Sequence, residues 1–219
     1  MDLETSETLP AELELALAYT PVPLRDRLRT YFALDQRLAR IVAATTEPML
    51  GQMRLAWWRD MLGSDPEKRP SGDAVLEAIG EHWRGREPAL AKLVDGWEAL
   101  VVAEQLGEEE IQSFAVGRGA PFLSLIDGSY TDIVESVSAA ASRWSLADAA
   151  SGVSDPAERA RLTEAALRVS ADTVRLPGEL RGLSVLQALA LRSLKRGGTP
   201  LMQGRRAALT AMRAAILGR

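Results

Sequence analysis

The sequence predicts an all-α protein, on three observations. Nearly every segment of the 219 residues spaces its apolar side chains by three and four positions, which is the period of a helix. Leu, Ala and Arg are abundant, and these residues lose little conformational freedom in a helix. No segment has the alternating pattern of a strand, and no internal repeat is present. We expect a single domain over residues 1–219, with residues 1–9 disordered.

The first half of the chain predicts five helices. We expect the first over Ala11–Tyr19 and the second over residues 24–44, because prolines separate and open them. A third follows at residues 49–62, and residues 63–72 with their two prolines form a loop. Asp73 is placed to cap the fourth helix, and Pro88 opens the fifth.

The second half predicts five more. Three consecutive glutamates at residues 108–110 begin the sixth helix, where the helix dipole favours negative charge. The next helix covers residues 129–147, and Asp155 with Pro156 caps and starts another of about 16 residues. We expect the last two helices over residues 183–196 and 201–217.

Composition excludes several classes of site. The chain has no Cys, so it has neither disulfides nor thiolate metal sites, and its lone His82 makes a multi-histidine metal site impossible. Residues 1–10 are acidic without an apolar centre, unlike a targeting peptide, and no apolar run approaches the roughly 20 residues that cross a bilayer. We expect a soluble, cytoplasmic protein. Glycine-rich phosphate loops, nucleophile elbows and nucleic-acid-binding patterns are also missing.

Charge is distributed unevenly along the chain. No acidic residue follows Glu179, whereas residues 180–219 hold eight basic residues; residues 1–179 hold 18 basic and 30 acidic ones. This asymmetry predicts either that the C-terminal helices pack against an acidic remainder or that they face an anionic partner such as a membrane surface.

The last helix shows how such a patch would form. Leu209, Met212 and Ile216 share one face, which we expect to pack on the bundle while basic side chains remain outside. The basic patch predicted in this way comprises Arg192, Lys195, Arg196, Arg206 and Arg213.

Asp35 interrupts the apolar line of the second helix. A buried carboxylate is costly unless it is paired or hydrogen-bonded, so we expect a structural ion pair with an Arg of the third helix, first of all Arg54. The alternative is that Asp35 marks a polar pocket inside the bundle.

The segment at residues 47–60, EPMLGQMRLAWWRD, contains a proline-initiated helix with two adjacent tryptophans. We expect Trp57 and Trp58 to pack in the core, as large aromatic side chains in helices usually do. For one of them, stacking on an Arg or contact with a partner is the alternative.

Together with residues 32–43, this segment resembles the first third of the squalene/phytoene synthase family, a branch of the trans-isoprenyl diphosphate synthase superfamily. The resemblance is clear over residues 10–65 and weaker, although colinear, beyond them. It implies a shortened isoprenoid synthase-type helical bundle around a central cavity. Within that superfamily the chain is similar to a divergent bacterial branch, and to the mitochondrial complex I assembly factor, which lacks the aspartate-rich motifs.

The resemblance also exposes a difference. Active members carry an Asp-Asp-x-x-Asp motif that holds magnesium ions on a prenyl diphosphate, and the matching positions here are Ala39, Arg40 and Ala43. Hard oxygen ligands are needed for that ion, and two methyl groups with one Arg do not supply them. The second family motif, Asp-x-x-x-Asp, is missing too, because neither Asp127 with Asp132 nor Asp148 with Asp155 has its spacing.

We therefore expect a non-catalytic protein with a binding or assembly role, in the cytoplasm or peripherally at the inner face of the membrane, without a cofactor or catalytic residues. Its partner would be a protein or a prenyl or other lipid ligand. The alternative is a prenyltransferase with an atypical, aspartate-poor site, which alone would need magnesium. The remnant cavity that the resemblance implies is formed by Asp35, Ala39, Arg40, Ala43, Arg54 and Trp57.

Overall fold

The computed structural model describes residues 8–103, 105–126, 131–170 and 175–217. These residues form ten α-helices and three short 3-10 turns, with no strand among them, so the all-α prediction is confirmed. The helices are α1 (Ala11–Tyr19), α2 (Val22–Ala43), α3 (Pro48–Gly63), α4 (Ala74–His82), α5 (Glu87–Val102), α6 (Glu108–Leu123), α7 (Val134–Gly152), α8 (Pro156–Arg168), α9 (Arg181–Leu194) and α10 (Arg206–Leu217).

Helix starts follow the capping signals in the sequence. The Asp73 carboxylate accepts hydrogen bonds from the backbone amides of Val75 and Leu76 at 2.9 and 3.1 Å, and Asp155 caps α8 through the amide of Ala157 at 2.7 Å. These bonds satisfy amides that have no partner inside the helix, and so fix where each helix begins.

Two predicted helices differ from the structure by five residues at a boundary, whereas the bounds predicted for the others differ by at most about three. α7 runs from residue 134 to 152 rather than from 129 to 147, and residues 127–130 lie outside the described chain. α10 starts at Arg206 instead of residue 201, because Gly197, Gly198 and Gly204 adopt positive φ angles of 75°, 75° and 83° that turn the chain between α9 and α10. The disorder predicted for residues 1–9 is wrong at Leu9, which is buried, while residues 1–7 lie outside the described chain.

The bundle is built around α5, α6 and α7, which pack on one another in order. α3 covers α5, α8 and α9 cover α7, and both α1 and α10 pack on α9. A cluster of four aromatic rings joins α2 to this centre: Tyr31 and Phe32 meet Phe122, at centroid distances of 5.4 and 6.3 Å, and Phe122 meets Trp144 at 5.7 Å. Edge-to-face arrangements of this kind contribute beyond the area they bury.

Glycines allow α5 and α6 to approach closely. A Cβ on Gly117 would lie 2.4 Å from the backbone oxygen of Lys92 and 2.8 Å from the Cα of Gly96, so neither glycine tolerates a side chain without movement of the backbone. This close approach positions Trp97 of α5 and Arg118 of α6 on the same side of the pair, facing α2.

Candidate functional site

A cleft of about 470 Å³ opens between α1, α2, α5 and the end of α7. Its volume is in the range of ordinary small-molecule sites. Apolar side chains of α2 and α5 form much of its wall, and Arg118 closes its floor. The cleft is also lined by residues between positions 148 and 158, and its other lining residues are Pro10, Glu12, Leu13, Gln36, Ala39, Val42, Ala43, Trp97, Leu100 and Arg118.

Beneath the cleft, Asp35 and Arg118 form a fully buried ion pair. The guanidinium donates from Nε to Oδ1 of Asp35 at 3.0 Å and from Nη2 to Oδ2 at 2.7 Å, in a two-pronged arrangement. Trp97 Nε1 donates a further hydrogen bond to Asp35 Oδ1 at 2.8 Å. Asp35 has an exposed fraction of 0% and Arg118 of 1%, so both charges depend on these partners.

A second carboxylate completes the network. Arg118 Nη2 also donates to Oδ2 of Asp148 at 2.7 Å, and Nη1 donates to the backbone oxygen of Ser145 at 3.2 Å. Asp148 is the member that reaches solvent, since its side chain is 25% exposed at the cleft. The backbone oxygen of Arg118 accepts a hydrogen bond from the Tyr31 hydroxyl at 2.7 Å.

Aromatic rings enclose the guanidinium. Its central carbon lies 4.3 Å from the ring centroid of Trp144, 5.5 Å from that of Trp97 and 5.7 Å from that of Phe114. A desolvated cation over aromatic faces is stabilised by the negative potential of the rings. Arg118 is thus held by two carboxylates and three rings, and it has little capacity left for an anionic ligand.

The pKa values follow from this arrangement. Burial alone lowers the pKa of Arg118, but the charges of Asp35 and Asp148 outweigh burial and raise it. Burial raises the pKa of Tyr31 well above its ordinary value, and the charge of Asp35 raises it further. Tyr31 and Arg118 therefore both stay protonated, as donors that hold the network together.

The cleft mouth is acidic. Glu12 from α1, Asp148 from α7 and Glu158 from α8 all line it, and Arg118 is the one basic residue among the described lining. Burial raises the pKa of Glu12 above its ordinary 4.5; its own backbone hydrogen bond opposes this shift, and the negative charge of Asp148 adds to it. A ligand head group at this mouth meets an excess of negative charge.

The predicted remnant-cavity residues are distributed over two places. Ala39 and Ala43 line the cleft, and Asp35 lies directly beneath it. Arg40, Arg54 and Trp57 are not among its lining residues.

The predicted pairing of Asp35 with Arg54 is wrong. Arg54 is exposed on α3, whereas Asp35 faces α5 and α6, from which Trp97 and Arg118 reach it. Arg118 could have been noticed in the sequence, because it stands between two glycines and is spaced by four residues from Phe114 and from Phe122, so it lies on an apolar helical face.

The two tryptophans of α3 separate. Trp58 is 3% exposed and packs in the core, as predicted, with the Arg37 guanidinium 5.9 Å from its ring. Trp57 is 41% exposed, so its predicted burial is wrong; it contacts Trp58 edge-on at 5.2 Å and stands on the outer face of α3. That face exposes a row of apolar side chains: Met49, Leu50, Met53 and Trp57.

α10 is oriented opposite to the prediction. Its buried residues are alanines, Ala207, Ala211, Ala214 and Ala215. Leu209, Met212 and Ile216, predicted to face the bundle, are 56%, 43% and 66% exposed. Short side chains let α10 lie close to α9, which the longer ones would prevent.

The members of the basic patch lie around the α9–α10 turn and along α10. Arg192 donates from Nη2 to the backbone oxygen of Gln203 at 2.8 Å, which ties the end of α9 to the segment before α10. Lys195, Arg196, Arg206 and Arg213 are exposed.

Among the described residues, no group of three or more acidic or histidine side chains could hold a metal ion, and no helix is long and apolar enough to cross a membrane. Asp127, part of one candidate acidic pair, lies outside the described chain. In comparisons with known proteins, no family model, curated protein or solved structure matches the chain.

Proposed function

We propose that the protein is a non-catalytic binding protein whose cleft holds an apolar chain with an uncharged or positively charged head group. The observation that carries the proposal is the composition of the cleft: an apolar wall beside an acidic mouth. Ala39, Val42 and Leu100 offer methyl-lined surface to a chain, and burying that surface is favourable.

The polar end favours one class of head group. Glu12, Asp148 and Glu158 present carboxylates, and the positive charge of Arg118 is already shared between Asp35 and Asp148. An alcohol or an ammonium group can donate hydrogen bonds to these oxygens, whereas a diphosphate would be repelled by them.

The same features argue against prenyl transfer. In the family that the sequence resembles, aspartates on the helix matching α2 hold magnesium on the diphosphate; α2 directs the methyl groups of Ala39 and Ala43 at the cleft instead. The resemblance therefore supports a shared bundle and a changed ligand.

Three related ligands test the proposal: geranylgeraniol, geranylgeranylamine, and geranylgeranyl diphosphate with and without magnesium. Because Trp97 lines the cleft, its fluorescence should respond to an occupant. We expect the alcohol and the amine to bind and the diphosphate to bind at least about tenfold more weakly, with or without magnesium.

A bulky side chain in the cleft provides the matched variant. Ala39→Phe should reduce binding of the alcohol and the amine at least about tenfold, whereas Ala18→Phe, exposed on α1 outside the cleft, should leave it unchanged. Magnesium-dependent binding or conversion of the diphosphate would favour the prenyltransferase alternative. If Ala39→Phe does not weaken binding of the alcohol or the amine, these ligands do not bind in the cleft.

A second candidate function, assembly with a protein partner, is favoured by the outer face of α3. Met49, Met53 and Trp57 are 72%, 64% and 41% exposed in one row. Exposed methionines adapt to different apolar partners, and charges of both signs beside the row, Arg54 and Asp60, resemble the polar rim of a protein interface.

A photo-crosslinking residue at Met53 tests the assembly role, with one at the exposed Val22 of α2 as control. We expect one protein to be captured at position 53 alone, and the purified pair to bind at least about tenfold more weakly after Met53→Asp. Equal capture at both positions, or binding insensitive to Met53→Asp, would contradict it.

A further inference from the structure

The outward face of α10 combines exposed apolar and basic side chains. Leu209, Met212 and Ile216 follow one another at helical spacing and are each more than two-fifths exposed. Arg206 and Arg213 stand seven residues apart, and the helical period places them along one edge of this row. We call these five residues, with Arg192, Lys195, Arg196 and Arg205 at the preceding turn, the C-terminal surface.

The turn before α10 concentrates further positive charge. Arg192 is anchored to the backbone oxygen of Gln203, and a Cβ on Gly204 would lie 3.5 Å from its Nη2 and 3.8 Å from Nη1 of Arg196. Arg205 and Arg206 follow at once in the chain. Basic side chains thus meet where α10 begins, and no acidic residue lies in residues 180–219 to offset them.

The packing of α10 makes this face available. The alanine side of α10 packs on α9, which is its main neighbour in the bundle. The larger apolar side chains of α10 lie on the opposite side and are exposed. Removing Leu209 and Ile216 from water would be favourable, yet the fold leaves them outside.

The two features together select the partner. An acidic protein patch would need only the basic side chains, whereas an interfacial helix needs an apolar face that enters the boundary of the acyl chains and cations beside it that meet anionic head groups. The α3 row differs, because Asp60 accompanies Arg54 at its edge. Within residues 180–219, by contrast, every charged side chain on or beside α10 is basic.

We propose that the C-terminal surface docks on an anionic lipid bilayer, with α10 lying in the plane of the interface and its apolar row directed into the membrane. The chain as a whole carries a net charge of −4, so attraction depends on presenting this surface and not on overall charge. Docking at the C-terminal surface does not depend on what the cleft binds.

Co-sedimentation of the full chain with vesicles measures the docking. We expect retention on vesicles of phosphatidylcholine with phosphatidylglycerol, much weaker retention on phosphatidylcholine alone, and loss of the difference at high salt. Arg206→Gln with Arg213→Gln should weaken partitioning about 30-fold, since two cations near an anionic surface are removed. Leu209→Ser with Ile216→Ser should weaken it at least about tenfold.

A matched control changes the same charge elsewhere. Arg54→Gln with Arg84→Gln alters two exposed arginines remote from α10 and should leave partitioning unchanged. Circular dichroism should show the same helicity in every variant, because all the substituted side chains are exposed or half-exposed.

Three results would overturn the proposal. Equal retention on neutral and anionic vesicles at low salt removes the role of anionic lipid. If the Arg206/Arg213 and Arg54/Arg84 double variants lose the same amount of vesicle binding, then binding depends on the net charge of the chain and not on the C-terminal surface. Retention that depends on Arg206 and Arg213 but not on Leu209 and Ile216 shows electrostatic adsorption alone and contradicts insertion of the apolar row into the bilayer.

Discussion

Nη2 of Arg118 lies 2.7 Å from Oδ2 of Asp35, across 83 residues of sequence, with both side chains shielded from solvent. The pair joins α2 to α6 below the cleft, and Asp148 on α7 shares the same nitrogen at 2.7 Å. Three helices of the bundle therefore meet at one guanidinium, so the network fixes their relative positions.

Removing Asp35 should strongly destabilise the fold. Asp35→Ala leaves Arg118 buried with Asp148 as its remaining charged partner, and breaking a buried pair of this kind costs about 3–5 kcal/mol. Urea denaturation gives the free energy of unfolding. A loss below about 1 kcal/mol would mean that water replaces the carboxylate and that the floor of the cleft is open.

A paired substitution tests whether the charges stabilise or only compensate each other. Asp35→Leu with Arg118→Met should be less destabilising than Asp35→Leu alone, because the double variant leaves no unpaired buried charge and Asp148 can be hydrated. If the two single losses add within about 0.5 kcal/mol, Asp35 and Arg118 act independently.

The sequence predicts that Asp35 is buried with a cationic partner, but it does not predict which residue is that partner. Asp35 on an apolar helical face is sufficient to expect burial and a cationic partner, since an unpaired buried carboxylate is too costly. The choice of partner depends on how α2 packs against α5 and α6, and that packing depends on the close contact of Gly96 with Gly117. Helical periodicity locates each helix but does not state its neighbours.

Side-chain size misleads in a similar way at α10 and α3. Hydrophobicity ranks Leu209 and Ile216 above alanine for burial, but an alanine face allows α10 to approach α9 more closely. Trp57 and Trp58 are adjacent in the chain and 100° apart on the helix, and only Trp58 lies on the side of α3 that packs in the core.

The close contact between α5 and α6 predicts a position-specific cost. Gly117→Ala would place a methyl group 2.4 Å from the Lys92 backbone oxygen, so the helices must separate, and we expect a loss of about 3 kcal/mol or more in unfolding free energy. Gly63→Ala, with no atom within 4 Å of the new Cβ, is the control and should change stability by less than about 1 kcal/mol. Equal effects would show that the two helices are not held at this distance.

The cleft mouth should make stability depend on pH through Glu12. Burial raises the pKa of Glu12 in the folded protein above its ordinary 4.5, so the unfolded chain releases this proton first as pH rises. Ionisation of Glu12 therefore lowers stability progressively above about pH 4.5, and the penalty is constant once pH exceeds the folded pKa.

Glu12→Gln should remove this dependence. We expect the variant to gain stability over the unmodified protein as pH rises from 4 to 7, with the two converging at the acidic end, in urea unfolding at each pH. Glu67→Gln, which removes one exposed carboxylate between α3 and α4, serves as control. If the difference in unfolding free energy between Glu12→Gln and the unmodified protein instead grows toward low pH, then burial does not raise the pKa of Glu12.

The orientation of α10 can be tested with two substitutions, one that enlarges a buried alanine and one that shortens an exposed leucine. Ala211 is fully buried against the bundle, so Ala211→Leu forces α10 away from α9 and should cost about 1–3 kcal/mol. Leu209 is 56% exposed, so Leu209→Ala should change the unfolding free energy by no more than about 0.5 kcal/mol. Both variants keep good helix-forming residues, which leaves packing as the difference between them. If Leu209→Ala is the costlier change, α10 presents its larger apolar side chains to the bundle, and the C-terminal surface loses the apolar row on which membrane docking depends.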